Sequence, residues 1–155
     1  MISLDTVKTV ADILFEKKLI SSDQLSAIKF EHVNTGKSVE QIVKERGYVG
    51  AEDYAMAFGE TYGISYVNVN PHQIDPNLMD LVPLTVARKY HIVPFELKEN
   101  KLSLAMADPF DLQTIDFVER KTGYKVSPFI ATEKIIEKAL EEQKGKELSE
   151  EISAA

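Results

Sequence analysis

The sequence predicts an α+β fold in two parts: an N-terminal helical subdomain of two repeated helical hairpins, then a small mixed β-sheet packed with helices. Three observations predict it. Apolar residues recur at helical spacing as far as residue 62, the apolar period falls to two beyond Gly63, and the first part matches itself when shifted by 29 positions.

Four short helices account for the first part. Their stripes are Leu4, Val7, Val10, Ala11, Leu14 and Phe15, then Leu25, Ile28 and His32, then Val39, Ile42 and Val43, then Tyr54, Ala55, Phe58 and Tyr62. Ser21 before Gln24 and Ser38 before Gln41 have the spacing of capping boxes, in which each side chain satisfies a backbone N–H of the other. Gly36 terminates the second helix. The shift lays Val10, Ile13, Leu14, Glu16, Lys17 and Lys18 on Val39, Ile42, Val43, Glu45, Arg46 and Gly47, and Leu19, Ile20, Asp23 and Leu25 on Tyr48, Val49, Glu52 and Tyr54. One short hairpin cannot bury its own apolar stripe, so two stacked copies share a core and leave a groove between them.

In the second part Ser65, Val67 and Val69 alternate in a short strand that Asn70-Pro71 ends. Val93, Phe95 and Leu97 mark one further strand and Leu102, Leu104 and Met106 another, paired antiparallel through a turn at Glu99-Asn100. Asp108-Pro109 reads as a helix cap with proline in the first turn, and Leu112, Ile115 and Val118 as the helix that Gly123 ends. Residues 126–131 form a strand that Pro128 confines to an edge or a bulge, and Thr132 opens a last helix carrying Ile135, Ile136, Ala139 and Leu140. The expected division is 1–62 helical repeat, 63–143 α/β, and 144–155 a frayed or disordered tail with too few large apolar residues to pack.

Composition narrows the function. The 155 residues are 44% hydrophobic with a net charge of −7 and no basic patch, which argues against nucleic acid as a partner. No apolar run approaches the roughly 20 residues of a membrane span, and the start MISLDTVKTV lacks a secretory pattern, so direct membrane insertion is not expected. Zero cysteines exclude thiol chemistry and disulfides. His32, His72 and His91 stand singly, no spacing brings two imidazoles onto one ion, and no metal site is expected. Gly36-Lys37-Ser38 resembles the end of a phosphate-binding loop, but Glu31 stands where that loop needs glycine, and the preceding residues are helical. Asp108, Asp111, Asp116 and Glu119 could suggest paired carboxylates or a divalent-cation site, but Asp108 reads as a helix cap and aspartate near a helix start complements its dipole, so the group reads as structural; no hydrolase or dinucleotide motif occurs, and no catalytic residue is assigned. Tyr48, Tyr54, Phe58 and Tyr62 read as core and half-buried surface.

The order of motifs is similar to a known family. Residues 12–20, Gln24-Leu25 and residues 42–49 resemble the N-terminal domain of type II secretion and type IV pilus assembly ATPases. So do Tyr62-Gly63-Ile64, Val82-Pro83, residues 87–90, Val93-Pro94-Phe95, Leu104-Ala105-Met106-Ala107-Asp108-Pro109 and Thr122-Gly123-Tyr124. The resemblance covers about residues 8–143. It implies a non-enzymatic, cytoplasmic docking and regulatory module that couples an assembly ATPase to its inner-membrane platform protein, without a cofactor. It also implies an alternative, since some members bind cyclic di-GMP.

The family's cyclic di-GMP motif opens each repeat with Arg-Leu-Gly. Here those places hold Thr9-Val10-Ala11 and Ser38-Val39-Glu40, with Lys8 and Lys37 adjacent, Lys18 and Gly47 at the internal glycine, and His32 and Thr61 at the closing glutamine. The missing arginines remove the planar fork that grips guanine or phosphate, and Glu40 adds negative charge. For docking, the expected surface is the pair of inter-helix turns: Leu19, Ile20, Tyr48 and Val49 beside Lys17, Lys18 and Arg46.

Overall fold

Helical spacing in the first 62 residues produces α1 (Val10–Glu16), α2 (Ser22–Thr35), α3 (Val39–Arg46) and α4 (Ala51–Tyr62). The computed structural model describes residues 7–142, and the chain divides into two units between Ser65 and Tyr66. In the first unit the 29-residue repeat is written in the backbone. Thr9 and Ser38 are the N-caps of α1 and α3. Lys18 and Gly47 both turn left-handed, at φ 62° and 63°, before α2 and α4 begin. Val10, Ile13 and Leu14 of one copy and Val39, Ile42 and Val43 of the other are all buried, and α1 packs against each of the other three helices.

The caps differ in detail from expectation. Ser21 and Gln24 do bond reciprocally, at 2.9 and 3.1 Å. Ser38 accepts the Gln41 N–H at 3.1 Å, but the Gln41 amide donates to Glu45 at 2.8 Å, so this box is half formed. A full box that sequence reading passed over joins Thr9 and Asp12, because aspartate at the third helical position also reaches the cap N–H. α1 starts at Val10, so Val7, 64% exposed, is not part of its stripe, and Leu4 lies outside the described residues.

The second unit contains α5 (Pro76–Met79), α6 (Leu84–Tyr90), β1 (Ile92–Lys98), β2 (Lys101–Met106), α7 (Leu112–Thr122) and β3 (Lys125–Ile130), then α8 over residues 133–142. Its sheet runs β1-β2-β3, with β1 and β2 antiparallel and β2 and β3 parallel. Glu99 and Asn100 are both left-handed, as a two-residue type I′ turn requires, and Lys98 pairs with Lys101 across it. A register shift between Pro94 and Glu96 interrupts the alternation expected of β1. Ile92, Val93, Leu102, Leu104, Met106, Val118 and Ile136 form the buried centre. Pro128 sits in β3, an edge strand whose outer neighbour is a single bridge from Tyr66 to Ile130.

That bridge is all that forms of the strand expected at residues 65–69. Val67 donates to the Ile130 carbonyl at 2.9 Å, and the chain then leaves at Asn70, which caps a 3-10 turn over Pro71–Gln73. The Asp108 cap is also corrected. Asp108 accepts the Phe110 N–H in a local turn, while Asp111 caps α7 by accepting the Thr114 N–H at 3.2 Å and hydroxyl at 2.6 Å. Proline at position 109 fits either assignment, so spacing alone did not decide it. The tail at 144–155 lies outside the described residues.

Candidate functional site

The proposed docking set divides when side chains are placed. Ile20 is 6% exposed and belongs to the core of the first unit, while Leu19 is exposed and Tyr48 and Val49 are half-buried. Ile20 therefore packs inside its unit and not on the surface. Two of the basic residues are already neutralised within the unit: Lys17 pairs with Glu60 at 3.0 Å, and Arg46 forks onto Glu31 through Nε and Nη2. Lys18 is exposed at its left-handed turn.

A more open apolar surface lies on α2. This helix is 14 residues long and buries only Ile28, yet it presents Phe30 and Val33 at 72% and 80% exposure. Those two positions are three apart and roughly opposite Ile28 around the helix, so they share an outward face. Sequence reading missed them because it followed the Leu25, Ile28 and His32 stripe; the signal was a second apolar pair off that stripe.

The motif-equivalent positions are occupied by structural work. Thr9 and Ser38 cap helices, Val10, Ala11 and Val39 are buried, and Gly47 closes α3. Lys8 pairs with Glu16 at 2.7 Å and Lys37 with Glu45 at 3.0 Å, the same ion pair in both copies. The Glu16 hydrogen bond and charge raise Lys8, and hydrogen bonds from Gln41 and Lys37 lower Glu45. Glu40, at the glycine place of the second copy, accepts the Tyr62 hydroxyl. Partial burial together with that carboxylate pushes the Tyr62 phenol up to about 12, so it stays a donor to Glu40. Tyr54, Phe58 and Tyr62 stack along α4 at 6.0 and 4.7 Å between ring centroids, as helix-packed rings.

The histidines are also placed. A ring nitrogen of His32 donates to the Lys37 carbonyl at 2.6 Å, and His72 lies 3.3 Å from Glu142. His91 ends α6, and its Nε2 donates to Glu137 at 3.2 Å, with Glu133 one helical turn away. Sequence spacing gave no sign of this last grouping, because β1, β2, α7 and β3 separate His91 from the two glutamates. No helix among the described residues is long and apolar enough to cross a membrane.

Comparison with known proteins gives these surfaces a setting. The MshEN domain family matches residues 62–150. The type IV pilus assembly ATPase PilB of Thermus thermophilus is 35% identical over 74% of this chain, and PilB of Myxococcus xanthus is 26% identical over 85% of it. The chain spans only 14% and 23% of the length of those two proteins. A solved structure of MshE with cdg superposes with a TM-score of 0.66 at 20% identity, covering 88% of this chain and 99% of that one, a likeness of fold.

Proposed function

The chain belongs to the MshEN domain family, as an N-terminal domain of the kind found in type II secretion and type IV pilus assembly ATPases, and from that premise we propose that it is a docking and regulatory module of such a machine. Its resemblance is to the non-catalytic part of those ATPases and not to their motor. The proposed partner is a cytoplasmic face of an inner-membrane platform protein or the assembly ATPase itself. The observation that carries this reading is α2, which spends a single residue on the core and exposes Phe30 and Val33 on its outer side. Exposed aromatic and branched side chains of this kind supply binding energy to an interface while contributing little to the fold. Phe30→Ser with Val33→Ser is expected to abolish co-purification with the platform protein while the melting temperature stays within a degree or two. Intact co-purification would move docking off α2, and Lys18 with Leu19 would be the next surface to change.

A second reading, a cyclic di-GMP receptor, has stronger support from the comparisons than the first. The family carries the name of MshE, and the similar MshE structure contains cdg, read here as cyclic di-GMP. The residues of this chain weigh against it. Within both motif copies the arginines are replaced by caps and the nearby lysines are paired. Calorimetric titration of the purified chain with cyclic di-GMP is the deciding measurement. The expected result is no saturable heat at low micromolar ligand. A micromolar dissociation constant abolished by Lys8→Ala with Lys37→Ala would establish the receptor, with lysines freed from Glu16 and Glu45 doing the work of arginines.

A further inference from the structure

We infer that His91, Glu133 and Glu137 form a binding site for one divalent transition-metal ion, with zinc as the ion that tests it. Each residue offers one ligand atom, and the three atoms lie within 4.8 Å of one another. Two ligands held 2.0–2.2 Å from zinc at a tetrahedral angle stand roughly 3.4 Å apart. The His91 Nε2 and Glu137 Oε1 atoms, 3.2 Å apart, already have that spacing. Glu133 is exposed, and a change of its side-chain rotamer is the adjustment that brings its carboxylate to the same centre.

The scaffold beneath the three is firm. Glu133 and Glu137 are four apart on α8, which puts both carboxylates on one side of the helix, a like-charge arrangement that disfavours the helix unless a cation sits between them. His91 is pinned by its backbone, whose N–H bonds the Ala87 carbonyl and whose carbonyl accepts from Ala107 at 3.1 Å. Its conformation is informative. Among the described residues the other left-handed C-caps are Gly36, Gly47, Gly63 and Gly123; Lys18 turns left-handed one residue past the cap of α1, and α6 places a residue with a side chain at the cap itself, at φ 51°. A Cβ carries a steric penalty there, and the imidazole it bears reaches the Glu137 carboxylate.

The surroundings favour a cation and select its type. Glu141 and Arg88 line a hollow of about 160 Å³ together with His91 and Glu137, so with Glu133 near the same atoms the carboxylates outnumber the one arginine. An imidazole nitrogen with two carboxylates suits zinc and its neighbours better than magnesium or calcium, which take oxygen ligands. Water completes the coordination, and the bound ion ties α8 to the junction of α6 and β1.

Isothermal titration of the full, tag-free chain with zinc chloride tests this. One site per chain in the micromolar range is expected, with no heat from magnesium chloride. His91→Asn, which keeps a residue tolerant of left-handed backbone, and Glu137→Gln are each expected to weaken binding about tenfold or more, while His72→Ala leaves it unchanged. Circular dichroism checks that each variant is folded, and Glu133→Gln replaces Glu137→Gln if the latter is not. Absence of saturable binding by the folded wild-type chain, or binding that survives His91→Asn or disappears in His72→Ala, overturns the inference.

Discussion

Lys18 and Gly47 occupy the same turn in two copies of one repeat, with φ values one degree apart, yet only one of them is glycine. A side chain at such an angle crowds the following carbonyl at a cost of about 1 kcal/mol, and the exposed Lys18 has nothing in its surroundings that requires it. Lys18→Gly is therefore expected to raise stability by about 1 kcal/mol in chemical denaturation, and the same change in the second copy, Gly47→Lys, to lower it by a similar amount. A loss of stability in Lys18→Gly would mean that the lysine makes a contact worth more than its backbone strain. The same pair shows what was legible at this scale. The shift by 29 located both turns from sequence, and the missing arginines at Thr9 and Ser38 were legible too. The cap at Ser38 was legible from its spacing to Gln41 and the cap at Thr9 was not, and only the folded structure shows that the neighbouring lysines are held by Glu16 and Glu45.

At the level of elements, regular periodicity was read well and short or irregular pieces were not. The hairpin at Glu99-Asn100, the edge strand with Pro128 and the helices ended by Gly36 and Gly123 all follow from local chemistry that a few residues determine. α5 escaped notice because four residues make little more than one turn, and α6 because, unlike the equally short α1 with four buried positions, it buries only Ala87 and so shows no apolar stripe. The short strand at residues 65–69 contracted to one bridge because strand pairing depends on a neighbour that local alternation does not specify. The start of α7 gives a direct test of the cap assignment. Asp111 bonds both the N–H and the hydroxyl of Thr114, whose side chain is buried, so Asp111→Ala is expected to cost about 2 kcal/mol by removing a cap and leaving a buried hydroxyl unpaired. Asp108→Ala removes only a turn contact to Phe110 and is expected to cost well under 1 kcal/mol. Equal losses, read from urea melts of the two variants, would return the cap to Asp108.

Each unit of the whole molecule carries its own core, and the two cores differ in how they are assembled. The second unit is organised round one contiguous apolar cluster that runs from Val69 to Leu140 and draws on the sheet and on α7 and α8. The first depends on two copies of a hairpin, neither of which covers its own stripe: Val10, Ile13 and Leu14 need α3 and α4 just as Val39, Ile42 and Val43 need α1 and α2. A helical unit of about 65 residues is marginal in size, because a shorter chain buries a smaller fraction of its surface on folding. Expressed separately, residues 66–155 are expected to unfold in one cooperative transition, with a native-like spectrum, and to keep the His91, Glu133 and Glu137 grouping. Residues 1–65 are expected to be only marginally folded alone. Cutting the repeat once more, after Lys37, is expected to leave a chain without a cooperative transition, because a lone hairpin has no second stripe against which to bury its own. Thermal melts of the three fragments read this order directly. A single hairpin that melted cooperatively would show that each copy folds by itself and that the second copy serves binding, which would shift the weight of the repeat from stability to ligand or partner recognition.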